Sequence, residues 1–450
     1  MTRRFVIAIA VLCLPGVLRA QPAVVRLTAD EAVARAFDTS HRLAEARARQ
    51  QGAEATVQIR QAAARPTATA TAGYSRTNHV DEFGFPLPDG SRVNILYPDV
   101  PDNFLSRVGA QWPIYTAGRL DALERAAAAE AGATGADLDT TRADLRFEVT
   151  RAYWAVATSR EAVRVLGDSV ARAEAQVRDA KQRLDVGLVP PSDVLTFEAQ
   201  RSSEELQLIE ATNLFESSLI ELRRLIGVDP TTPIEMSDRL DTPSGVTGPG
   251  TVTSKNDAET AMLVSEALKQ RPELRALAFR FEGAQARQDA VATGRKPTVA
   301  LGGGYDFAKP NPKIFPREDI WQPSWDISVN MSWTFFDSGR TKAEVAEASA
   351  AVRALDARQQ ELGAVVSADV RQRLLDLRSS QAAVRASEAG VRAAAEARRV
   401  LADRLAVGVA TTTDVLVAQE QLLDAELART RALASVRLSE ARLQRALGRP

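Results

Sequence analysis

Trp112-Pro113-Ile114-Tyr115-Thr116-Ala117-Gly118-Arg119 recurs 221 positions later as Trp333-Thr334-Phe335-Phe336-Asp337-Ser338-Gly339-Arg340. The same offset relates Arg183-Leu184-Asp185-Val186-Gly187-Leu188 to Arg404-Leu405-Ala406-Val407-Gly408-Val409, Asp193-Val194-Leu195 to Asp414-Val415-Leu416, and Gly227 to Gly448. Upstream, Arg65-Pro66-Thr67 and Gly73-Tyr74 match Lys296-Pro297-Thr298 and Gly304-Tyr305 at an offset of 231, so the copies differ there by ten residues. Two long copies of one unit indicate a duplication, because solenoid periods run only about 20 to 50 residues. Whatever one copy folds into, the chain must hold twice.

Each copy reads as helix, two strands, one very long helix, a tight turn and a shorter helix. The first copy spans 21–227, with strands about 66–78 and 103–115, a long helix about 118–186 and a second helix about 192–226. The second spans 258–450, with strands about 297–308 and 324–336 and helices about 339–407 and 413–447. Val149, Val156, Val163, Val170, Val177 and Leu184 recur every seven residues, with Leu145, Ala152, Leu166, Ala173 and Ala180 on the companion seam. This is a sustained heptad. Val370, Leu377, Val384, Val391 and Leu405 repeat it, broken once by Arg398. No proline interrupts 118–186, which at about 1.5 Å per residue allows a helix of roughly 100 Å. Such a rod needs partners along its length, and dense alanine permits neighbours on two sides. Read alone, these helices also fit an isolated coiled coil.

The strands separate those readings. Trp325, Ile327, Val329, Met331, Trp333 and Phe335 alternate with Asp326, Ser328, Asn330, Ser332 and Thr334. One greasy face with tryptophans at its ends is the pattern of a lipid-facing barrel strand. Thr298 to Phe307 alternates likewise, as do Phe104, Val108, Ala110, Trp112 and Ile114 in the first copy, with a weaker pattern over Thr67 to Tyr74. A soluble sandwich strand alternates equally well, so the weight rests on two matched hairpins in an exported chain. Four strands cannot close a barrel, since the smallest need about eight and an open edge in lipid leaves backbone groups unpaired. The pore must be shared between chains, whose number the residues do not fix. The hairpin loops, His79 to Asp102 and Ala308 to Pro323, are rich in Pro, Gly, Asn and Asp, as loops facing water are. Residues 228–257, with Pro230, Pro233, Pro243, Gly245, Gly248, Pro249 and Gly250, read as a surface linker between the copies.

Export is expected from the first residues. Met1 to Arg4 carries two arginines, Phe5 to Leu14 is an unbroken apolar run, and Leu18-Arg19-Ala20 precedes a cleavage point before Gln21. Residues 1–20 thus read as a signal peptide, too short in its apolar run for the roughly 20 residues of a spanning helix. Cys13, the only cysteine, follows Leu12 within that run, which argues against lipid anchoring. No later stretch has eighteen consecutive apolar residues, so a membrane crossing would be made by strands. A net charge of −1 argues against a nucleic-acid partner.

Little in the chain suggests chemistry. Its two histidines, His41 and His79, stand apart, and no cysteine remains after processing. No metal site, cofactor or catalytic residue is expected. Gly302-Gly303-Gly304 lies in a strand and marks a bend or close backbone approach. Asn330-Met331-Ser332 matches a glycosylation triplet, but inside a strand it carries no meaning. Asp193 and Asp414 follow the tight turns and precede helices, where a carboxylate can cap free N–H groups.

The element order, from Leu27 to the end, resembles the TolC-like outer-membrane efflux family. The likeness is carried by the Trp-Pro-Ile-Tyr and Trp-Thr-Phe-Phe strand ends before Gly118-Arg119 and Gly339-Arg340, and by two Val-Gly turns followed by Asp-Val-Leu. It implies an α+β, mostly α fold, in a homotrimer whose twelve strands, four per chain, form a transmembrane β-barrel in outer-membrane lipid of a Gram-negative bacterium. A long periplasmic α-helical coiled-coil barrel continues it. The resemblance also implies a periplasmic adaptor docking at Val186, Gly187, Leu188, Val407, Gly408 and Val409, and an inner-membrane pump of RND or ABC type. Glu396 and Asp403 become candidates for a periplasmic constriction, although helical charges at this spacing are commonly just paired. The family's Asn-Pro near the start of each copy is replaced by Ser40-His41 and Arg271-Pro272. The expected function is passive export, of drugs, metal ions or proteins, without enzymatic activity. The competing reading is an exported coiled-coil scaffold or adaptor without a pore.

Overall fold

The computed structural model describes residues 25–86, 88, 93–241 and 257–449. The expected signal segment with Cys13, the expected cleavage point before Gln21 and residues 242–256 of the expected linker lie outside them. In chain order the elements are β1 (Val25–Leu27), α1 (Ala29–Thr39), α2 (His41–Ala62), β2 (Thr67–Arg76), β3 (Phe83–Pro86), β4 (Val93–Tyr97), β5 (Asp102–Tyr115), α3 (Arg119–Asp185), α4 (Pro191–Ile226), β6 (Ile234–Met236), α5 (Asp257–Gln270), α6 (Pro272–Ala292), β7 (Thr298–Lys309), β8 (Gln322–Ser332), α7 (Arg340–Ala406) and α8 (Thr412–Leu447). The chain is mostly helical, and the duplication is visible in its lengths. Helices α3 and α7 have 67 residues each, α4 and α8 have 36 each, and each boundary shifts by 221 (119 to 340, 185 to 406, 191 to 412, 226 to 447). The equivalent residues Ala117 and Ser338 both take positive φ, 54° and 52°, a costly geometry for a residue with a Cβ. Among the described residues no helix is long and apolar enough to cross a membrane.

The described residues form two compact units, with α3, α7 and α8 contributing to both. Among the described residues, the first comprises 25–40, 145–241 and 373–443. Here the heptad seam becomes core: Val149, Val156, Val170 and Val177 are buried, with Leu145, Ala152, Leu166, Ala173 and Ala180 beside them. Val177 and Ala180 of α3 pack on Val194 and Phe197 of α4, closed by Leu184 and Leu416. Val165 and Leu166 meet Leu423 of α8. On α7, Val384 and Val391 are only half-buried.

Helix α1 starts at a capping box in which Thr28 and Glu31 exchange bonds with each other's backbone N–H. Just before it, β1 pairs in parallel with β6, from Val25↔Ile234 to Leu27↔Met236. Strand β6 lies within the tract expected to be surface linker. Ile234-Glu235-Met236 is ordered because it pairs with β1, and Met236 and Leu240 are buried. Tyr153 of α3 ties this ladder down: its fully buried hydroxyl donates to the Leu27 carbonyl (3.0 Å) and accepts from the Asp238 N–H (3.2 Å). Burial pushes the phenol's pKa up, since no water remains to solvate a phenolate. Tyr153→Phe leaves that carbonyl and N–H without their partner. It is expected to cost about 1–3 kcal/mol, seen as an earlier urea midpoint of the helical circular-dichroism signal.

Among the described residues, the second unit comprises 41–86, 88, 93–144, 257–372 and 444–449. Its antiparallel sheet has the order β2-β5-β7-β8, with the register Ala70↔Val108, Val108↔Tyr305 and Tyr305↔Trp325. One face therefore carries Val108, Trp112, Tyr305, Phe307, Trp325, Ile327, Val329 and Met331, all exposed in the single chain. The opposite face carries Thr69, Arg107, Asp306, Asp326, Ser328 and Asn330. Among the described residues the outer edges of β2 and β8 have no ladder partner.

Strand β8 ends four residues before the expected limit of 336, because its last partner, Thr298, is where β7 begins. Trp333 and Phe335, expected on a lipid-facing strand, therefore follow the strand. The first hairpin loop, read from its Pro, Gly, Asn and Asp as a loop facing water, holds a second hairpin, β3 with β4.

In this unit Arg271, standing where the family has Asn, is buried; its Nε donates to the Ala446 carbonyl (2.5 Å) and its guanidinium pairs with Asp369. It thus satisfies a free carbonyl at the end of α8. Gly448 closes that end at φ 73°, with no room for a side chain: a Cβ there would lie 2.9 Å from the Arg271 backbone.

Candidate functional site

Three groups of residues carry the functional reading: the helix tips, the charged turns before them, and the two faces of the sheet. At the tips, α3 and α7 end in the same motif. Leu188 N–H donates to the Arg183 carbonyl and Gly187 N–H to the Leu184 carbonyl, both at 2.8 Å; Val409 and Gly408 repeat this on Arg404 and Leu405 at 2.9 and 3.1 Å. This Schellman closure requires a left-handed residue, and Gly187 and Gly408 supply it at φ 73° and 77°. A Cβ on either glycine would meet nothing within 4 Å. Backbone conformation, not space, dictates glycine there. The flanking side chains project into solvent: Val186 is 69% exposed, Leu188 75%, Val407 74% and Val409 76%.

The two carboxylates expected as helix caps behave differently. Asp414 stands at the third position of α8 and accepts from the Thr411 N–H (2.8 Å) and hydroxyl (2.6 Å), while the Thr411 hydroxyl accepts from the Asp414 N–H. Thr411 is the cap and Asp414 its reciprocal partner. The Thr411 hydroxyl, then its N–H, hold the Asp414 carboxyl below the usual range. In the first copy the position equivalent to Thr411 is Pro190, which has no N–H, and α4 has no side-chain cap. Asp193 instead accepts the Thr412 hydroxyl at 2.8 Å, a bond that joins the two tips.

Glu396 and Asp403, the candidate constriction residues, both pair with Arg399. Its guanidinium donates twice to Glu396 (2.6 and 3.0 Å) and once to Asp403 (3.0 Å). The Arg399 bonds hold the Glu396 carboxyl below its ordinary value. All three side chains are exposed, so these pairs add little stability.

On the sheet, Trp325, Ile327, Val329 and Met331 share the exposed apolar face. Trp333 follows it, and its indole donates to the Arg295 carbonyl (3.0 Å) as the equivalent Trp112 does to Ala64 (3.2 Å). Each tryptophan therefore anchors a strand end to the chain leaving the preceding helix, a role that alternation alone could not reveal.

Sequence reasoning also missed the charges on the polar face. Arg107 of β5 donates to both oxygens of Asp306 at 2.9 Å and to Asp326 at 3.2 Å. Lys313 joins Asp306 at 2.6 Å and Asp326 at 2.5 Å. Gly304 lets the guanidinium cross β7, since a Cβ there would lie 2.5 Å from Arg107 Nη2. The glycine run thus serves a close approach, though by a side chain. The available signal was three charges in one polar register, which gains meaning only once the strands are paired. Elsewhere in this unit His79 Nδ1 meets Asp99 at 2.7 Å. Among the described residues no three His, Cys, Asp or Glu side chains are placed to hold a metal ion.

The sequence profile of the family described as "Outer membrane efflux protein" matches residues 32–228 and 263–449. Protein CyaE of Bordetella pertussis is 26% identical over 396 residues, covering 88% of this chain and 78% of that protein. Outer membrane protein TolC of Vibrio cholerae is 24% identical over 311 residues, 68% of either chain. Among solved structures, the outer-membrane channel OprN shares the fold at a TM-score of 0.76 and 18% identity, over 94% of this chain and 90% of that one. The profile takes in both α3–α4 and α7–α8 with the strands that precede them, and this chain belongs to the outer membrane efflux protein family.

Proposed function

We propose that this chain is one subunit of a homotrimeric outer-membrane channel, through which substrates delivered by an inner-membrane pump leave passively. The observation that carries the reading is the four-stranded sheet, apolar on one face, charged and polar on the other, with both outer edges open. In lipid such edges must be paired. Neighbouring copies supply that pairing if three sheets of four strands close a barrel of twelve, its polar face inward. The half-buried seam of α7 fits the same arrangement, since a neighbouring helix completes its burial. The exposed apolar tips fit docking to a periplasmic adaptor, and the pump, of RND or ABC type, follows from family likeness. Residues 1–20 are removed on export, and the mature chain is not lipidated.

Planar-bilayer recording on the purified, detergent-extracted trimer tests this. Discrete conductance steps are expected from the wild type. A soluble monomer, or a trimer that never conducts, would instead favour the coiled-coil scaffold.

A further inference from the structure

The turn between β7 and β8 bends back over the polar face instead of projecting past the strands. Asn311 is fully buried, its amide donating to the Gln322 carbonyl (2.8 Å) and to the Ser324 hydroxyl (3.0 Å), while its Oδ1 accepts the Lys313 N–H (2.9 Å). Lys313 is thereby aimed at Asp306 and Asp326. Asp306 is only 3% exposed, although Thr69, Thr71 and Asn330 on the same face are open. The returning end is held on the other face, where Trp321 stacks on Phe307 at 4.9 Å and meets Phe104 at 5.8 Å. Arg317 adds a hydrogen bond to the Tyr97 hydroxyl of β4 (2.7 Å). The segment straddles the sheet at the end remote from the strand-to-helix junctions.

We propose that residues 310–321 form a strap across the distal mouth of the duct, latched by Lys313 on Asp306 and Asp326, and that this latch sets the width and ion preference of the mouth. The inference rests on the channel reading above. In the latched state two cations, Arg107 and Lys313, balance two carboxylates, so the mouth presents no net charge from this cluster. Loss of Lys313 lets the middle of the strap swing off the polar face while Asn311 and Trp321 still hold its ends, and leaves one uncompensated carboxylate per subunit. A ring of such charges draws cations into a pore.

The test is single-channel recording with a salt gradient on reconstituted trimers of wild type, Lys313→Gln, Lys313→Gln with Asp326→Asn, and Lys313→Cys. Lys313→Gln is expected to raise conductance by roughly twofold and to shift the reversal potential toward cation preference. Adding Asp326→Asn should return the reversal potential to the wild-type value while conductance stays high. Alkylating Lys313→Cys with 2-bromoethylamine, bromide leaving, gives S-aminoethylcysteine, a cation of lysine's length, and should restore both wild-type values, which a misfolded variant could not show. A conducting wild type with Lys313→Gln unchanged in both readings overturns the strap and leaves the channel intact. A wild type that never conducts removes the channel reading, and the strap with it.

Discussion

Val329→Arg should abolish accumulation of the trimer in outer membranes, whereas Asn330→Arg, one residue along, should leave it near normal. Val329 is 66% exposed, stands opposite Leu301, and shares the apolar face with Ile327 and Met331. If that face meets hydrocarbon, an arginine there costs about 2–4 kcal/mol near the midplane, and a trimer bears the cost three times over. Asn330 points to the opposite face, where Arg107 already lies and water can hydrate a new guanidinium. The measurement is trimer yield in outer-membrane fractions, read as the heat-modifiable band on unboiled gels. Equal tolerance of arginine at both positions would mean that the two faces had been assigned the wrong way round.

The second large effect is expected at the tips. Leu188→Asp with Val409→Asp keeps Gly187 and Gly408, and hence the Schellman closures, while replacing two of the most exposed apolar side chains among the described residues. Because neither residue contributes to a buried core, folding should survive and trimer levels should match wild type. If the tips dock an adaptor through apolar contact, the surface presented for docking is lost, and export should drop by at least tenfold, about 1.4 kcal/mol of docking energy. Export assays and adaptor crosslinking at matched protein levels decide the matter. Undiminished export from the double mutant would falsify the docking role and leave the glycines as plain helix terminators.

How much of this was legible beforehand depends on how local each signal was. The 221-residue offset is carried by contiguous motifs, so equal lengths of α3 and α7 could be anticipated from Gly118-Arg119 and Gly339-Arg340 alone. Alternation across Trp325 to Met331 is likewise local, and the register places Trp325, Ile327, Val329 and Met331 together on one face. Alternation could not say where pairing stops, and Trp333 fell outside β8 because the neighbouring strand had already ended at Thr298. The Tyr153 bonds join α3, Leu27 and Asp238, segments far apart in sequence, and nothing local to Tyr153 announces them. Phe83-Gly84-Phe85-Pro86 looks like loop because Gly and Pro punctuate it, yet it pairs with β4. Lys313 sits in a loop among prolines, and only its tertiary position turns it into a partner for Asp306.

The bond from Thr412 to Asp193 bears on what the duplication has become. Position 190 is proline where its counterpart 411 is threonine, and position 191 is proline where its counterpart 412 is threonine. The first pair leaves Asp193 without the reciprocal cap that holds Asp414, and the second supplies the hydroxyl that it takes up. A chain built from two first halves would have the waiting carboxylates and no hydroxyl at 412. One built from two second halves would have both carboxylates engaged at home, like Asp414 with Thr411. Either tandem would lose the stitch between the tips. The present halves thus behave as a fused heterodimer, each complementary to the other at its far end, and exchanging one for the other is no longer a neutral operation.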